Sequence, residues 1–412
     1  MTINSNDRRL PPVWLLGLST FSSGAFTGIF LVTVPQLLAA RGVAEPQIAQ
    51  VTGIAMIPGA LAFLAAPLLD LRFSRRTYAV LLALVQATMT AFALGALDDL
   101  PALTACLLVS NVAYNLFTPA VAGWFGGLVE RRDEPRLGAW LAAGSVTGFG
   151  LMSATAILLL RWAPYRWGIL AVIATALTPL LFFPFVPSSR PDRDLVNEGF
   201  RAMARGLLDV ARNRHVLRLM VLFALPAATF ALTNTLGGLG KDFDAPEKFV
   251  GLVGGLGATA GGVFGALVAP SLARRFSLLA LYIVIGVAGA MFTLCLLLPS
   301  RTPALFAVAM VGENVFQSAA FAVVNALALL SIGKDNPFAA TQFALINATV
   351  VVPITYMQLI DGRAYGWGGL HGTLLADAGV SIAACAAMAL MFATRWRDSV
   401  TSEPRVELAH DV

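Results

Sequence analysis

Glu313, Asn314 and Gln317 occur in GENVFQSAA (312–320), inside a stretch that is otherwise apolar from Leu305 to Leu330. A carboxyl group takes up and releases protons, and amides donate and accept hydrogen bonds; a segment that only has to pack needs neither. Other stretches set polar groups among apolar neighbours in the same way. They are Asn111, Tyr114 and Asn115 in SNVAYN (110–115), Gln342 and Asn347 in ATQFALINAT (340–349), and Asp377 in LLADAGV (374–380). APLLDLRFSRRTY (66–78) sets Asp70 beside Arg72, Arg75 and Arg76, an acid among bases within one short turn. These types suit proton exchange and solute hydrogen bonding rather than bond-breaking catalysis. No GxxxxGK[ST] phosphate loop, HExxH pair or GxSxG nucleophile occurs. No enzyme activity, cofactor or metal is therefore expected, and no ATP-driven step by this chain alone.

The elements that would hold these groups are unlike those of a water-soluble domain. Hydrophobic residues make up 58% of the chain and charged residues 12%, against roughly a quarter charged in soluble domains. Mean hydropathy is +0.77. Such a chain lacks the polar residues to cover a soluble globule and is expected to lie in a membrane, in contact with lipid. The net charge of +5 then reflects arginine at a membrane face, not nucleic-acid binding. Cys106, Cys295 and Cys385 sit in apolar runs, spaced for neither a metal site nor a disulfide framework. The polar start MTINSNDRRL leads into an apolar run too long for a signal h-region, so no cleavable signal is expected.

Apolar segments long enough to span predict helices near 13–37, 48–69, 77–97, 101–125, 138–160, 167–187, 216–236, 249–270, 277–298, 303–330, 339–360 and 372–394. The fold class expected is thus all-α and membrane-embedded, with twelve transmembrane helices. Placing both termini in the cytoplasm puts 21 of the 28 lysines and arginines on that side, the bias expected of cytoplasmic loops. The one long break, 188–215, contains Met203, Leu207, Leu208 and Val210 among arginines. It reads as a linker whose amphipathic helix lies along the cytoplasmic interface.

The chain also repeats. PALTACLLVSNVAYN (101–115) and PALFAVAMVGENVFQ (303–317) begin alike 202 residues apart, and APLLDLRFS (66–74) matches APSLARRFS (269–277) at 203. Two matches at nearly one offset predict two six-helix halves, 1–187 and 216–412, as in the major facilitator architecture. The repeat sets Asn111 opposite Glu313 and Asn115 opposite Gln317.

Depth gives these residues their roles. Glu313 lies ten residues into its helix, roughly 15 Å along the axis, near the middle of a hydrocarbon core about 30 Å thick. An ionisable group there usually faces the bundle interior or a water-filled cavity. Glu313 and Asp377 are the expected proton-coupling pair. Asn111, Tyr114, Asn115, Asn314, Gln317, Gln342 and Asn347 are the expected solute contacts, although Gln342 and Asn347, five apart, need not share a helix face. Gln358 and Asp361 fall near the outer end of the eleventh helix. His371 reads more readily as a surface side chain than as a proton relay.

Asp70 with its arginines resembles the loop signature of the facilitator superfamily, with Ala66 or Pro67 where the usual glycine stands. That likeness implies a gate in which Asp70 pairs with a base across the halves, with Arg72, Arg75 and Arg76 beside it. ATQFALINA (340–348), GENVF (312–316), LGLSTFSSGAFTGIF (16–30) and LIDGRAYGWGGLHG (359–372) resemble the peptide–acetyl-coenzyme A transporter (AmpG-like) family of that superfamily. The chain has no room for the two extra spans of its muropeptide permeases, and SSGAF (22–26) replaces a QGLP-like stretch, so the shorter siderophore permeases are the nearer match. The resemblance implies proton-coupled import of a siderophore-like solute across the bacterial inner membrane by a monomer. A muropeptide or acyl-coenzyme A permease, a drug or metabolite exporter, and a non-transporting sensor are the alternatives.

Overall fold

The computed structural model describes residues 11–70, 73–162, 164–187, 214–227, 230–332, 336 and 338–395. Among these, ten helices are long and apolar enough to cross a membrane. The first six helical elements are α1 (Val13–Ala40), α2 (Pro46–Leu64), α3 (Arg75–Gly95), α4 (Leu100–Gly126), α5 (Glu134–Trp162) and α6 (Tyr165–Phe185). α7 is broken into Arg214–Phe223, Phe230–Thr235 and a 3-10 stretch, Leu236–Phe243. α8 (Glu247–Ala273), α9 (Leu278–Cys295) and α10 (Pro303–Ile332) follow. Arg72 and the linker from 188 to 213, with its expected amphipathic helix, lie outside the described residues.

The last described element is one helical run, Ala339–Arg395, of 57 residues. As a straight helix it would measure roughly 85 Å, far beyond one hydrocarbon core. Gly369 interrupts it with φ 57° and ψ −148°, a backbone region open essentially to glycine alone. The run is therefore two arms, α11 (339–368) and α12 (370–395). The break in α7 falls at Pro226, which has no N–H to continue a helix and disfavours helical backbone at the residue before it. Gly237, Gly238 and Gly240 then sit in its 3-10 portion, where low helix propensity leaves the tighter winding competitive. The apolar segment 216–236, which contains Pro226, is therefore divided by proline and glycine chemistry.

Two residues matched by the internal repeat behave alike in local structure. Ser74 and Ser277, the matched last residues of APLLDLRFS and APSLARRFS, each start a helix. Their hydroxyl oxygens accept from Thr77 N and Ala280 N, capping α3 and α9.

Packing is distributed unevenly along the bundle. One large apolar core joins N-terminal and C-terminal helices, running from Leu116–Phe125 and Leu137–Ala143 to Ala319–Leu329 and Ala339–Val350. It lies at the end that carries Arg75, Arg76, Arg131, Arg132 and Arg136, hereafter the basic end. Toward the opposite end the core divides. Phe26, Phe30, Leu38, Leu103 and Met152 form a cluster within α1–α6, while Leu232, Phe243, Phe306, Met310 and Leu374 form another within α7–α12. The helices of the two groups approach closely at the basic end, and α5 and α8 also meet at mid-length, at Gly150 and Thr259. A Cβ on Gly123 would stand 2.9 Å from Ala340 N, and one on Gly138 would stand 2.7 Å from Ala326 N. Small residues permit this backbone approach where lipid supplies no hydrophobic drive between helices.

Candidate functional site: a sealed basic end and a buried carboxyl cluster

Asp70 closes the basic end. It ends the 3-10 turn Ala66–Asp70 after α2 and is buried. Its Oδ2 accepts from Thr341 N and Thr341 Oγ1, both at 2.8 Å, and its Oδ1 accepts from Ala340 N at 3.2 Å and Arg75 Nε at 2.9 Å. Thr341 and Ala340 lie in the first turn of α11, whose N–H groups have no partners within the helix. A carboxylate from the N-terminal helices therefore caps a helix of the C-terminal group, where the positive end of the helix dipole favours it. Arg75 extends the seal, donating through Nη2 to Asn336 O at 2.9 Å and through Nη1 to Gly123 O at 3.3 Å. Burial pushes the Asp70 carboxyl above its ordinary range, opposed by the Arg75 guanidinium and the Thr341 donors. The geometry differs from the expected cross-half ion pair. The basic partner, Arg75, comes from the same side as Asp70, and a helix N-terminus is what it meets across the divide. Arg76 donates to Val186 O at 3.4 Å, within the N-terminal helices.

The carboxyls gather elsewhere, inside α7–α12. Glu313 on α10 is 0% exposed, and its Oε1 accepts from Thr293 Oγ1 on α9 at 2.6 Å. Asp377 on α12 is 0% exposed and Asp361 on α11 1% exposed, and all four of their carboxyl oxygens lack a hydrogen-bond partner. Asp361 and Glu313 both lie within electrostatic reach of Asp377. Sequence reading had singled out Glu313 and Asp377; the structure adds Asp361, which depth alone had left at the outer end. The missed signal is on α12, where Thr373, Asp377 and Ser381 recur every four residues and therefore share one face.

The amides separate into committed and available groups. Asn111 is buried, its Nδ2 donating to Ala55 O of α2 at 2.8 Å, and Asn115 turns back onto Asn111. Gln342 is also buried and holds the α10–α11 connection together: its Nε2 donates to Ser331 O at 2.9 Å and its Oε1 accepts from Asn336 Nδ2 at 2.7 Å. Gln317 Nε2 donates to Thr233 Oγ1 on α7 at 2.7 Å, and Asn314 Nδ2 to Met310 O at 2.8 Å. Tyr114 packs its ring against Phe26 of α1. Asn347 is half-buried and, among the described residues, has no hydrogen-bond partner. Gln342 is thus committed to Ser331 and Asn336, and Asn111, Tyr114 and Asn115 line the packing of α4 on α2 and α1. His371 is exposed and within 2.6 Å of Arg301. Among the described residues no group of three His, Cys, Asp or Glu is spaced to hold a metal ion.

The whole arrangement has solved counterparts. It superposes on the human organic anion transporter MFSD10 (TETRAN) with a TM-score of 0.70 at 16% identity, covering 92% of this chain and 100% of that one. The E. coli fucose:proton symporter FucP gives 0.68 at 14% identity, covering 92% and 98%. A bacterial homologue of the iron transporter ferroportin in an outward-facing state gives 0.61 at 16% identity, again covering 92% and 98%. At these identities the likeness is one of fold. No curated protein matches the sequence. The profile of the Major Facilitator Superfamily, however, matches residues 16–351, and the chain is a member of the major facilitator superfamily.

Proposed function

We propose that this chain is a proton-coupled secondary transporter that imports an amphipathic small molecule, a siderophore or siderophore–metal complex, across a bacterial inner membrane. The carrying observation is the uneven packing: one core shared by both groups of helices at the basic end and two separate cores toward the other. A bundle sealed at one end and divided at the other is one state of an alternating-access cycle. On this reading the basic end is cytoplasmic, both termini lie inside, and the state is outward-facing. The chain folds as twelve spans in two six-helix halves, 1–187 and 216–412, with α7 as a broken span. Asp70, Arg75 and Arg76, with Arg72 beside them, form the inner gate.

Glu313 and Asp377 carry the proton, and Asn347, Asn314, Gln317, Asn115 and Tyr114 offer solute contacts. FucP is a fucose:proton symporter and MFSD10 an organic anion transporter, which supports solute transport of some kind. The substrate class rests on charge. The candidate solute contacts are amides and a phenol with no arginine or lysine among them, and a polyanion such as a coenzyme A ester needs positive charge to replace its hydration. The test is a thermal-shift panel of ferric siderophores, muropeptides and acyl-coenzyme A species on purified protein, followed by uptake into proteoliposomes with and without a pH gradient. Stabilisation by ferric siderophores and gradient-dependent uptake are expected; selective stabilisation by coenzyme A esters would reverse the substrate assignment.

A further inference from the structure

Two aspartates, Asp361 and Asp377, lie on the two arms of the α11–α12 hairpin. Of the other buried carboxyls, Asp70 has four donors and Glu313 has Thr293, and Glu134 leaves only one oxygen without a partner. Asp361 and Asp377 are as deeply buried, yet none of their four oxygens has a partner. An uncompensated carboxylate in this environment costs several kcal/mol, so these groups persist only if they hold something the polypeptide does not supply. The three carboxyls are not spaced as a metal-ligand set, which leaves the smallest cation.

We propose that Asp361 and Asp377 form a proton-carrying pair inside the C-terminal bundle, fed along a polar face of α12 and separate from the path taken by the solute. The proposal rests on the proton-coupled reading above and deepens it. Asp361 joins Asp377 and Glu313, and Glu313 links the pair to α9 and α10.

The surroundings support a route. Thr373, Asp377 and Ser381 repeat at four-residue intervals, about 6 Å apart along the axis, and are 2%, 0% and 0% exposed. Thr373 Oγ1 donates to Asp361 O at 3.2 Å, tying the two arms just below the break at Gly369. Ser381 Oγ lacks a partner. The groups facing the pair from the helices packed on it are Glu313 from α10 and, from α9, the neutral Thr293. The charged residues Lys241, Asp242 and Asp244 of the α7 end, with Arg301, Arg363 and His371, lie at the exposed outer surface or close to it. There Tyr365 Oη donates to Asp242 Oδ2 at 3.1 Å and Arg301 meets His371, covering the hairpin. In the outward-facing state the pair is therefore closed off, and proton exchange requires the hairpin to move. Gln317, one turn from Glu313 on α10, is turned to Thr233 of α7, so coupling passes through helix movement rather than through direct contact of proton and solute.

Infrared difference spectroscopy of the protein in liposomes, acid minus alkaline and without any solute, tests this directly. The expected result is a protonated-carboxyl C=O band that is slow to shift in D2O and is lost in both Asp361→Asn and Asp377→Asn. Ser381→Ala should keep the band but slow its response to a pH jump several-fold. If one Asn variant does not fold, the wild-type band and the remaining variant decide. Absence of a shielded, pH-responsive band in the wild type overturns the proposal, as does its persistence in either Asn variant. Removal of the band at constant pH by sodium but not by choline would reassign the site to a metal cation and overturn it equally. The spectrum needs no solute, so its failure is distinct from failure of the transport reading, which would appear as a siderophore panel without pH-driven uptake.

Discussion

Asp70 and Thr341, 271 residues apart in the chain, are joined twice: one carboxylate oxygen of Asp70 accepts both the backbone N–H and the hydroxyl of Thr341 at 2.8 Å. This pair converts a loop acid into the cap of a helix on the other side of the divide. It is therefore a contact that the shut basic end makes and an open one must break.

Asp70→Ala should shift the population away from the shut arrangement. It orphans donors on Ala340, Thr341 and Arg75, and losing a charge-assisted bond costs roughly 1.5–3 kcal/mol, at least a tenfold change in a two-state ratio. Spin labels at Asp98 and Leu298, both exposed at the opposite end, should come closer together; an unchanged distance distribution would make Asp70 ordinary loop decoration. Burial raises the proton affinity of Asp70 in the shut state. That state therefore binds the proton more tightly than a water-exposed carboxyl would, and acidification through this range should favour it. Asp70→Asn should flatten the response.

Gly138→Val should act at the same end by steric force. A Cβ at Gly138 already falls 2.7 Å from Ala326 N, so α5 and α10 cannot close over a larger residue. A cysteine replacing the fully buried Ala340 should change from inert to reactive toward a maleimide in this background.

Glu313→Gln separates coupling from carriage. Its hydrogen bond to Thr293 is one that a glutamine oxygen can still accept, so folding should survive with a loss of less than about 1.5 kcal/mol. Ferric-siderophore exchange between the two sides should continue within a few-fold of wild type, while accumulation driven by a pH gradient should fall to the equilibrium level. Accumulation at the wild-type level would take Glu313 out of the coupling role.

Asn347 and Asn111 should differ in kind. Asn347→Ala removes an amide without a protein partner and should weaken solute binding roughly tenfold with little change in Tm. Asn111→Ala removes the bond to Ala55 O of α2 and part of the α4–α2 packing, a loss of about 1 kcal/mol that appears as a lower Tm. A thermal melt and a binding titration on each variant check the pair.

The membrane class, most of the apolar helices and the mid-helix depth of Glu313 were determined by the sequence, because length, hydropathy and serial position along a helix are properties of the chain alone. The matched serines show this most directly, since Ser74 and Ser277 cap their helices through bonds to residues three positions on. Which face of each helix turns inward was decided only by the tertiary structure. A helix that is apolar all round has no stripe to fix its rotation, so Glu313 was legible as deep but not as facing Thr293 and Asp377. Gln342 was legible as an amide but not as a brace for Ser331 and Asn336. Asp361 was read as an outer-end residue, because nothing local to it records that the turn at Gly369 folds α12 back alongside α11. Asp70 was legible as an acid among bases in a turn, yet its partner, the first turn of α11, is a set of backbone groups common to every helix. Only the meeting of the two groups of helices selects that one.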